Sequence, residues 1–147
     1  MSRIDAPDRR LRVLVIDDDP GLQGLCSTLL TRDGFSVDCA PNGRLAFECL
    51  KRDSYSVILL DLMMPDGNGF ELLDRIERES PSLMRRVIVM TSAAQRVVEE
   101  LDAKRVWGLI HKPFDIDDLV VSAKECARGR GLQASGLGPR ASVPPPR

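Results

Sequence analysis

Residues 11–30 read LRVLVIDDDPGLQGLCSTLL, an apolar run followed by three acids, a proline and a second apolar pattern. The run Leu11–Ile16 is typical of a buried strand. Asp19 and Pro20 are typical of a helix N-cap and of the first residue of a helix. The apolar residues that follow recur at helical spacing: Leu22, Leu25, Cys26, Leu29 and Leu30. We therefore predict a strand that passes directly into a helix.

The same alternation continues along the chain. Four further apolar runs have the length of a strand: Phe35–Cys39, Val57–Leu60, Val87–Met90 and Val106–Ile110. Segments with helical spacing separate these runs, and one more follows the last of them. Strands that alternate with helices form βαβ units, whose right-handed crossovers give a parallel sheet covered on both faces. The sequence therefore predicts an α/β fold, a doubly wound five-stranded parallel sheet with five helices.

Composition narrows the classes of protein that need to be considered. The chain has 147 residues, of which 43% are hydrophobic, and it carries 21 basic against 22 acidic residues. A net charge of -1 gives no global field that would attract nucleic acid or an anionic membrane. Purely aliphatic runs are far shorter than the roughly 20 residues needed to cross a bilayer. We expect a soluble protein that binds neither nucleic acid nor membrane.

Cysteines and termini favour a cytoplasmic location. The N-terminal residues lack the apolar core of a secretory signal. Four cysteines show no C-x-x-C spacing, which argues against a zinc site and a disulfide framework: Cys26, Cys39, Cys49 and Cys126. Residues 129–147 read GRGLQASGLGPRASVPPPR and contain no acid, so we predict a disordered Gly/Pro/Arg tail.

Polar residues follow four of the predicted strands: Asp17, Asp18 and Asp19, then Asp61, Thr91 and Lys112. Ligand sites of a doubly wound sheet form beyond the carboxyl ends of its strands. Carboxylates within about 4–6 Å of one another repel, so we expect a cation between them. Mg²⁺ suits this site because it leaves coordination positions for phosphoryl oxygens. Lysine and threonine could hold such oxygens, which leaves an aspartate as the nucleophile.

Four motifs resemble those of a known family. They are VLVIDDDP at 13–20, VILLDLMMPDGNGFELL at 57–73, VIVMTSA at 87–93 and IHKPF at 110–114. In this order and spacing they resemble the receiver domain of two-component response regulators. The resemblance implies a flavodoxin-like sheet with the strand order 2-1-3-4-5. The resemblance covers a receiver domain at 11–128, which leaves a short extension at 1–10 and the tail at 129–147 outside it.

The resemblance assigns roles to the residues at the strand ends. Asp61 would accept a phosphoryl group from a phosphohistidine of a partner kinase, and Thr91 and Lys112 would hold the phosphoryl oxygens. The implied Mg²⁺ ligands lie on two loops: Asp17 through a water, Asp18, Asp61 and the backbone carbonyl of Met63. The bond between Lys112 and Pro113 is expected to be cis.

We expect a stand-alone switch rather than a dedicated enzyme, with at most slow self-dephosphorylation. The tail leaves no room for a DNA-binding output domain, so the chain would act through protein contacts or relay the phosphoryl group. Its partners would be a histidine kinase or histidine phosphotransfer protein and a downstream protein. The downstream protein would bind at the fourth helix, the fifth strand and the fifth helix.

Three positions depart from the family pattern. Leu109 stands three residues before Lys112, where many members have Tyr or Phe, so we expect output to rely on backbone and loop shifts. Met63 and Ala93 flank the path of the hydrolytic water in the family. Neither side chain can orient a water by hydrogen bonding, so we predict slow loss of the phosphoryl group.

Two other functions fit parts of the pattern. In a phosphohydrolase of the haloacid dehalogenase type, Asp17 would be the nucleophile and Asp19 the acid, because Asp17-Asp18-Asp19 satisfies D-x-D. Against this, Pro20 makes Asp19 a helix cap. In a pseudo-receiver the domain would serve as a docking module without phosphorylation, although Asp61 and Lys112 are both intact.

Overall fold

Five strands and four α-helices make up the described part of the chain. The structure is a computed structural model that describes residues 11–64, 68–92 and 106–129. Its elements in chain order are β1 (Arg12–Ile16), α1 (Pro20–Arg32), β2 (Ser36–Ala40), α2 (Gly43–Arg52), β3 (Val57–Asp61), α3 (Asn68–Glu79), a 3₁₀-helix (Pro81–Arg86), β4 (Val87–Thr91), β5 (Gly108–His111) and α4 (Ile116–Ala127). Every predicted strand is present within two residues of its expected bounds. The helix predicted between the last two strands falls on residues 93–105, outside the described residues.

All five strands lie in one parallel sheet in the order β2-β1-β3-β4-β5. The predicted α/β class, the doubly wound sheet and the strand order are thereby confirmed. Neighbouring strands end nearly level, since Ile16 pairs with Leu60, and Asp61, the next residue of β3, pairs with Met90. The residues that follow the strands therefore emerge together at the carboxyl edge of the sheet.

Side chains alternate between the two faces of the sheet and form one core on each face. The first core cluster joins the strands to α2, α3 and the 3₁₀-helix through residues such as Leu14, Leu60, Ala46, Leu73 and Met84. The second core cluster joins the strands to α1 and α4 through residues such as Val15, Ile88, Cys26, Leu30 and Leu119. Helices on both faces explain why β3 and β4 are apolar along almost their whole length.

Short junctions connect the carboxyl edge to the helices. Asp19 caps α1, because its Oδ1 accepts the N–H of Gly21 at 2.9 Å and Pro20 occupies the first helical position. Asp115 caps α4 in the same way, accepting the N–H of Asp117 at 3.0 Å. The capped helix starts fix the loops that carry the polar residues.

The terminal segments stay predictions. Residues 1–10 and 130–147 lie outside the described ranges, and so does most of the predicted tail. No helix among the described residues is long and apolar enough to cross a membrane.

Tyr55 ties the loop before β3 to the edge strand β2. Its side chain is 1% exposed, and its hydroxyl donates to Asp38 Oδ2 at 2.6 Å. Burial and the adjacent Asp38 raise the pKa of Tyr55, so the hydroxyl keeps its proton. Replacing Tyr55 with phenylalanine is expected to lower the free energy of unfolding by about 1.5–3 kcal/mol, because a hydrogen bond to a charged acceptor is lost. Urea denaturation measures this difference.

Arg12→Gln is the comparison for that variant. Arg12 Nη1 pairs with the same Asp38 oxygen at 3.3 Å, but 40% of the Arg12 side chain is exposed. We expect it to cost no more than about 1 kcal/mol. Equal losses in the two variants would contradict the importance assigned to the tyrosine hydroxyl.

Candidate functional site

Three carboxylates meet at the carboxyl edge of the sheet. Asp17 follows β1 and is fully buried, Asp61 ends β3 and is 4% exposed, and Asp18 is exposed. One oxygen from each of the three lies within 4.8 Å of the others, which is close enough for a single metal ion to bind all three. The sequence prediction that these acids converge on one site is supported by their positions.

Asp17 is fixed on several sides. Its backbone N–H donates to the carbonyl of Ala40 at 3.1 Å, and its Oδ1 accepts the N–H of Asp19 at 2.9 Å. Its carbonyl accepts a hydrogen bond from the side-chain amide of Gln23. Burial raises the pKa of Asp17, and the charge of Asp61 raises it further. These two effects outweigh the hydrogen bond from Asp19 and the charge of Lys112, both of which lower the pKa of Asp17.

Asp61 presents its carboxylate from the end of β3. Oδ1 accepts the N–H of Met63 at 3.0 Å, which folds the following loop back over the strand end. The Met63 side chain is 51% exposed beside this loop. Beyond Asp61 the ladder continues, since the N–H of Leu62 donates to the carbonyl of Met90 at 3.1 Å. The Asp61 side chain is therefore held at a defined position at the sheet edge.

Lys112 links the two buried carboxylates. Its Nζ lies 3.3 Å from Asp17 Oδ2 and 3.4 Å from Asp61 Oδ2, and 27% of its side chain is exposed. Burial lowers the pKa of Lys112, but the charges of Asp17 and Asp61 outweigh that effect, and the net shift is upward. Lys112 therefore stays a cation, and its exposed fraction leaves it open to an anion arriving from solvent. The expected cis bond to Pro113 is present.

Thr91 ends β4 at the same edge and is fully buried. It lies one residue beyond Met90, the partner of Asp61, and its carbonyl accepts the N–H of Lys112 at 2.8 Å. Leu109 pairs with Val89, which belongs to the first core cluster, and Leu109 packs against that cluster. Because side chains alternate along β4, Thr91 lies on the same face of the sheet as Val89 and Leu109. Ala93, predicted to flank the water path, lies outside the described residues.

Two contacts at the site were not predicted. Gly69 lies in the first turn of α3. A Cβ at Gly69 would be 2.5 Å from the Cα of Leu62, so α3 approaches the loop after Asp61 more closely than any side chain permits. The contact of Gln23 with Asp17 carries no signal in the sequence, because a polar residue in the first turns of a helix usually faces solvent.

Comparison with known proteins places this chain in a family. The family model of the response regulator receiver domain matches residues 13–124 of the sequence. The transcriptional regulatory protein CpxR homolog of Haemophilus influenzae is 39% identical over 124 residues, which cover 80% of this chain and 50% of that protein. The response regulator receiver protein CpdR of Brucella abortus is 32% identical over 110 residues, covering 74% of this chain and 90% of that protein.

A solved structure with the same fold holds a metal ion. The response regulator protein TrrA of Thermotoga maritima, crystallised in complex with Mg(2+)-BeF, aligns with a TM-score of 0.69 at 26% identity. The alignment covers 79% of this chain and 98% of that one. The present chain belongs to the response regulator receiver domain family of two-component phosphorelay signalling. It spans about half the length of several regulators that it matches.

Proposed function

We propose that this domain accepts a phosphoryl group on Asp61 from the phosphohistidine of a partner kinase or phosphotransfer protein, in a reaction that depends on Mg²⁺. An oxygen of Asp61 forms the new bond to phosphorus while the bond between phosphorus and the histidine nitrogen breaks. The nitrogen keeps the electron pair of that bond. The product is an aspartyl phosphate, and the domain switches its protein contacts or passes the phosphoryl group on.

The ion pairs of Lys112 with Asp17 and Asp61 are the observation that carries this proposal. They place a compact positive charge directly beside the carboxylate that would take the phosphoryl group. When the phosphoryl group arrives, the ammonium group can hold one of its oxygens without moving far. Thr91 would donate its hydroxyl to a second oxygen from the adjacent strand end.

The donor set fits Mg²⁺, which prefers hard oxygen ligands and keeps part of its water shell. Asp18, Asp61 and the Met63 carbonyl would bind the ion, and Asp17 would act through a water. Bound there, Mg²⁺ supplies positive charge that neutralises the phosphoryl oxygens in the transition state. The closeness of one oxygen from each of Asp17, Asp18 and Asp61 supports a cation at this position.

The single-domain organisation and the absence of a DNA-binding domain stay predictions. The output face also stays a prediction: it would consist of the helix predicted between β4 and β5, strand β5 and helix α4. The chain covers 90% of CpdR but only half of the CpxR homolog, so the family contains relatives of both lengths. Part of the predicted output face lies outside the described residues.

The test is phosphorylation with a small acyl phosphate and Mg²⁺, followed by intact-mass measurement. We expect wild-type protein to gain one phosphoryl group, Asp61→Asn to gain none, and omission of Mg²⁺ to prevent labelling. Asp61→Asn keeps an oxygen that can accept the N–H of Met63, so the loop geometry is preserved while the nucleophile is lost.

Two matched aspartate substitutions serve as controls. Asp19→Asn keeps a good helix cap and is expected to be labelled like wild type. Asp17→Asn is expected to be labelled at higher Mg²⁺ concentrations. Label lost only in Asp17→Asn would support the hydrolase instead, and no label in wild type would support the pseudo-receiver.

A further inference from the structure

Gln23 joins helix α1 to the loop that carries the first two acids. It is the fourth residue of α1, and its backbone N–H makes the usual first-turn bond to the carbonyl of Asp19, at 3.0 Å. Its side chain turns back past the cap, and Nε2 donates to the carbonyl of Asp17. One residue thus holds two carbonyls of the same loop.

The carbonyl that Gln23 holds belongs to the peptide group between Asp17 and Asp18. Because a peptide group is planar, fixing this oxygen fixes the ψ angle of Asp17 and the φ angle of Asp18 together. Those two angles set how the Cα–Cβ bonds of the two aspartates are oriented relative to each other. A single hydrogen bond from α1 therefore orients both acids of the pair.

Burial makes this hydrogen bond costly to lose. Asp17 is fully buried, and a buried carbonyl deprived of its donor has no compensating contact with bulk water. The loop would then move to expose the oxygen, and the oxygens of Asp17 and Asp18 would leave the arrangement in which both lie within 4.8 Å of an Asp61 oxygen. Loss of the amide should thus weaken metal binding rather than remove a ligand.

We propose that Gln23 is a positioning residue for the metal site, which sets the Mg²⁺ affinity of the domain by orienting the peptide group between Asp17 and Asp18. The inference rests on the proposed function, because it assumes that these acids bind Mg²⁺. Gln23 itself contacts neither the ion nor the phosphoryl group.

Gln23→Met tests the inference, because methionine has a similar length and helix propensity but no donor. We expect its Mg²⁺ dissociation constant, measured by titration calorimetry, to rise roughly tenfold, the lower end of the range for partners that orient a metal ligand. The Mg²⁺ concentration that half-saturates labelling by acyl phosphate should rise by the same factor. At saturating Mg²⁺ the labelling rate should stay within about twofold of wild type, because no reacting group is changed.

Thr28→Met is the matched control, since Thr28 is an exposed residue of the same helix. It should leave the Mg²⁺ dissociation constant and the labelling rate unchanged. Gln23→Ala also lacks the amide and should show the same loss of Mg²⁺ affinity. It thereby shows that the loss comes from the missing amide and not from the methionine side chain. Thermal unfolding in chelator, recorded for each variant, confirms that the titrations are made on folded protein.

An unchanged Mg²⁺ dissociation constant in both Gln23 variants overturns the inference. A labelling rate that stays low at saturating Mg²⁺ overturns it as well, because Gln23 would then act on the transfer step. The failure of the proposed function is a different result, since wild-type protein itself would then bind no Mg²⁺ or carry no label on Asp61.

Discussion

Replacing Lys112 with methionine is expected to lower the stability of the metal-free protein by about 3 kcal/mol. The Lys112 ammonium group lies within 3.4 Å of one oxygen of Asp17 and one of Asp61. Both carboxylates are buried, so without the ammonium group two negative charges face each other in a site of low dielectric. Urea unfolding in the presence of chelator measures the loss.

The same substitution should affect metal binding and phosphoryl transfer in opposite directions. Removing a positive charge from the site should tighten Mg²⁺ binding by about tenfold, because the ion no longer competes with Lys112 for the carboxylates. Phosphorylation should nevertheless slow by about a hundredfold, because a group that holds a phosphoryl oxygen is gone. Titration calorimetry and labelling rates at saturating Mg²⁺ measure the two effects.

Lys124→Met is the control for Lys112→Met. Lys124 Nζ lies 3.8 Å from Asp33 Oδ1, and both side chains are more than a third exposed, so we expect a change within about 1 kcal/mol and none in Mg²⁺ affinity. If Lys112→Met bound Mg²⁺ more weakly than wild type, the picture of a lysine that competes with the ion would be wrong.

Gly69→Ala is expected to destabilise the protein by about 3 kcal/mol. Its Cβ would lie 2.5 Å from Leu62 Cα and 2.6 Å from the Leu62 carbonyl oxygen, and neither backbone atom can move without moving the end of β3. Helix α3 must therefore shift away from the loop that carries Asp61. We also expect slower labelling of Asp61, because the same loop presents its carboxylate.

Gly24→Ala is expected to have the opposite effect on stability. Gly24 lies in the interior of α1, and a Cβ there meets no atom within 4 Å. This variant should gain about 0.5–1 kcal/mol, since alanine is the better helix former. Thermal and urea unfolding of the two variants give the comparison, and a loss of stability in both would remove the evidence for a special contact at Gly69.

The sequence was sufficient to predict the sheet and the strand-end residues, because both depend on simple periodicity. Continuous apolar runs separated by helical spacing specify a parallel sheet, and parallel strands bring the residues after them to one edge. Asp17, Asp61 and Lys112 were identified in this way, and their ion pairs were then observed. The strand order, by contrast, came from the family resemblance.

Contacts between distant or irregular segments could not be predicted. The 3₁₀-helix Pro81–Arg86 has no periodic pattern, and Tyr55 reaches Asp38 across 17 positions of the chain. The closeness of Gly69 to Leu62 depends on how α3 docks on β3, which is a property of the packed core. Such contacts depend on tertiary structure rather than on local preference.

The two faces of the sheet differ in their aromatic residues. The chain has one tyrosine and one tryptophan, and Tyr55 belongs to the first core cluster while Trp107 belongs to the second. Intrinsic fluorescence of the indole therefore reports on the layer of α1 and α4, whereas phenol absorbance reports on the layer of α2 and α3. Both signals can be followed during unfolding without any label. They thus reveal whether the two helix layers unfold in one step or one after the other.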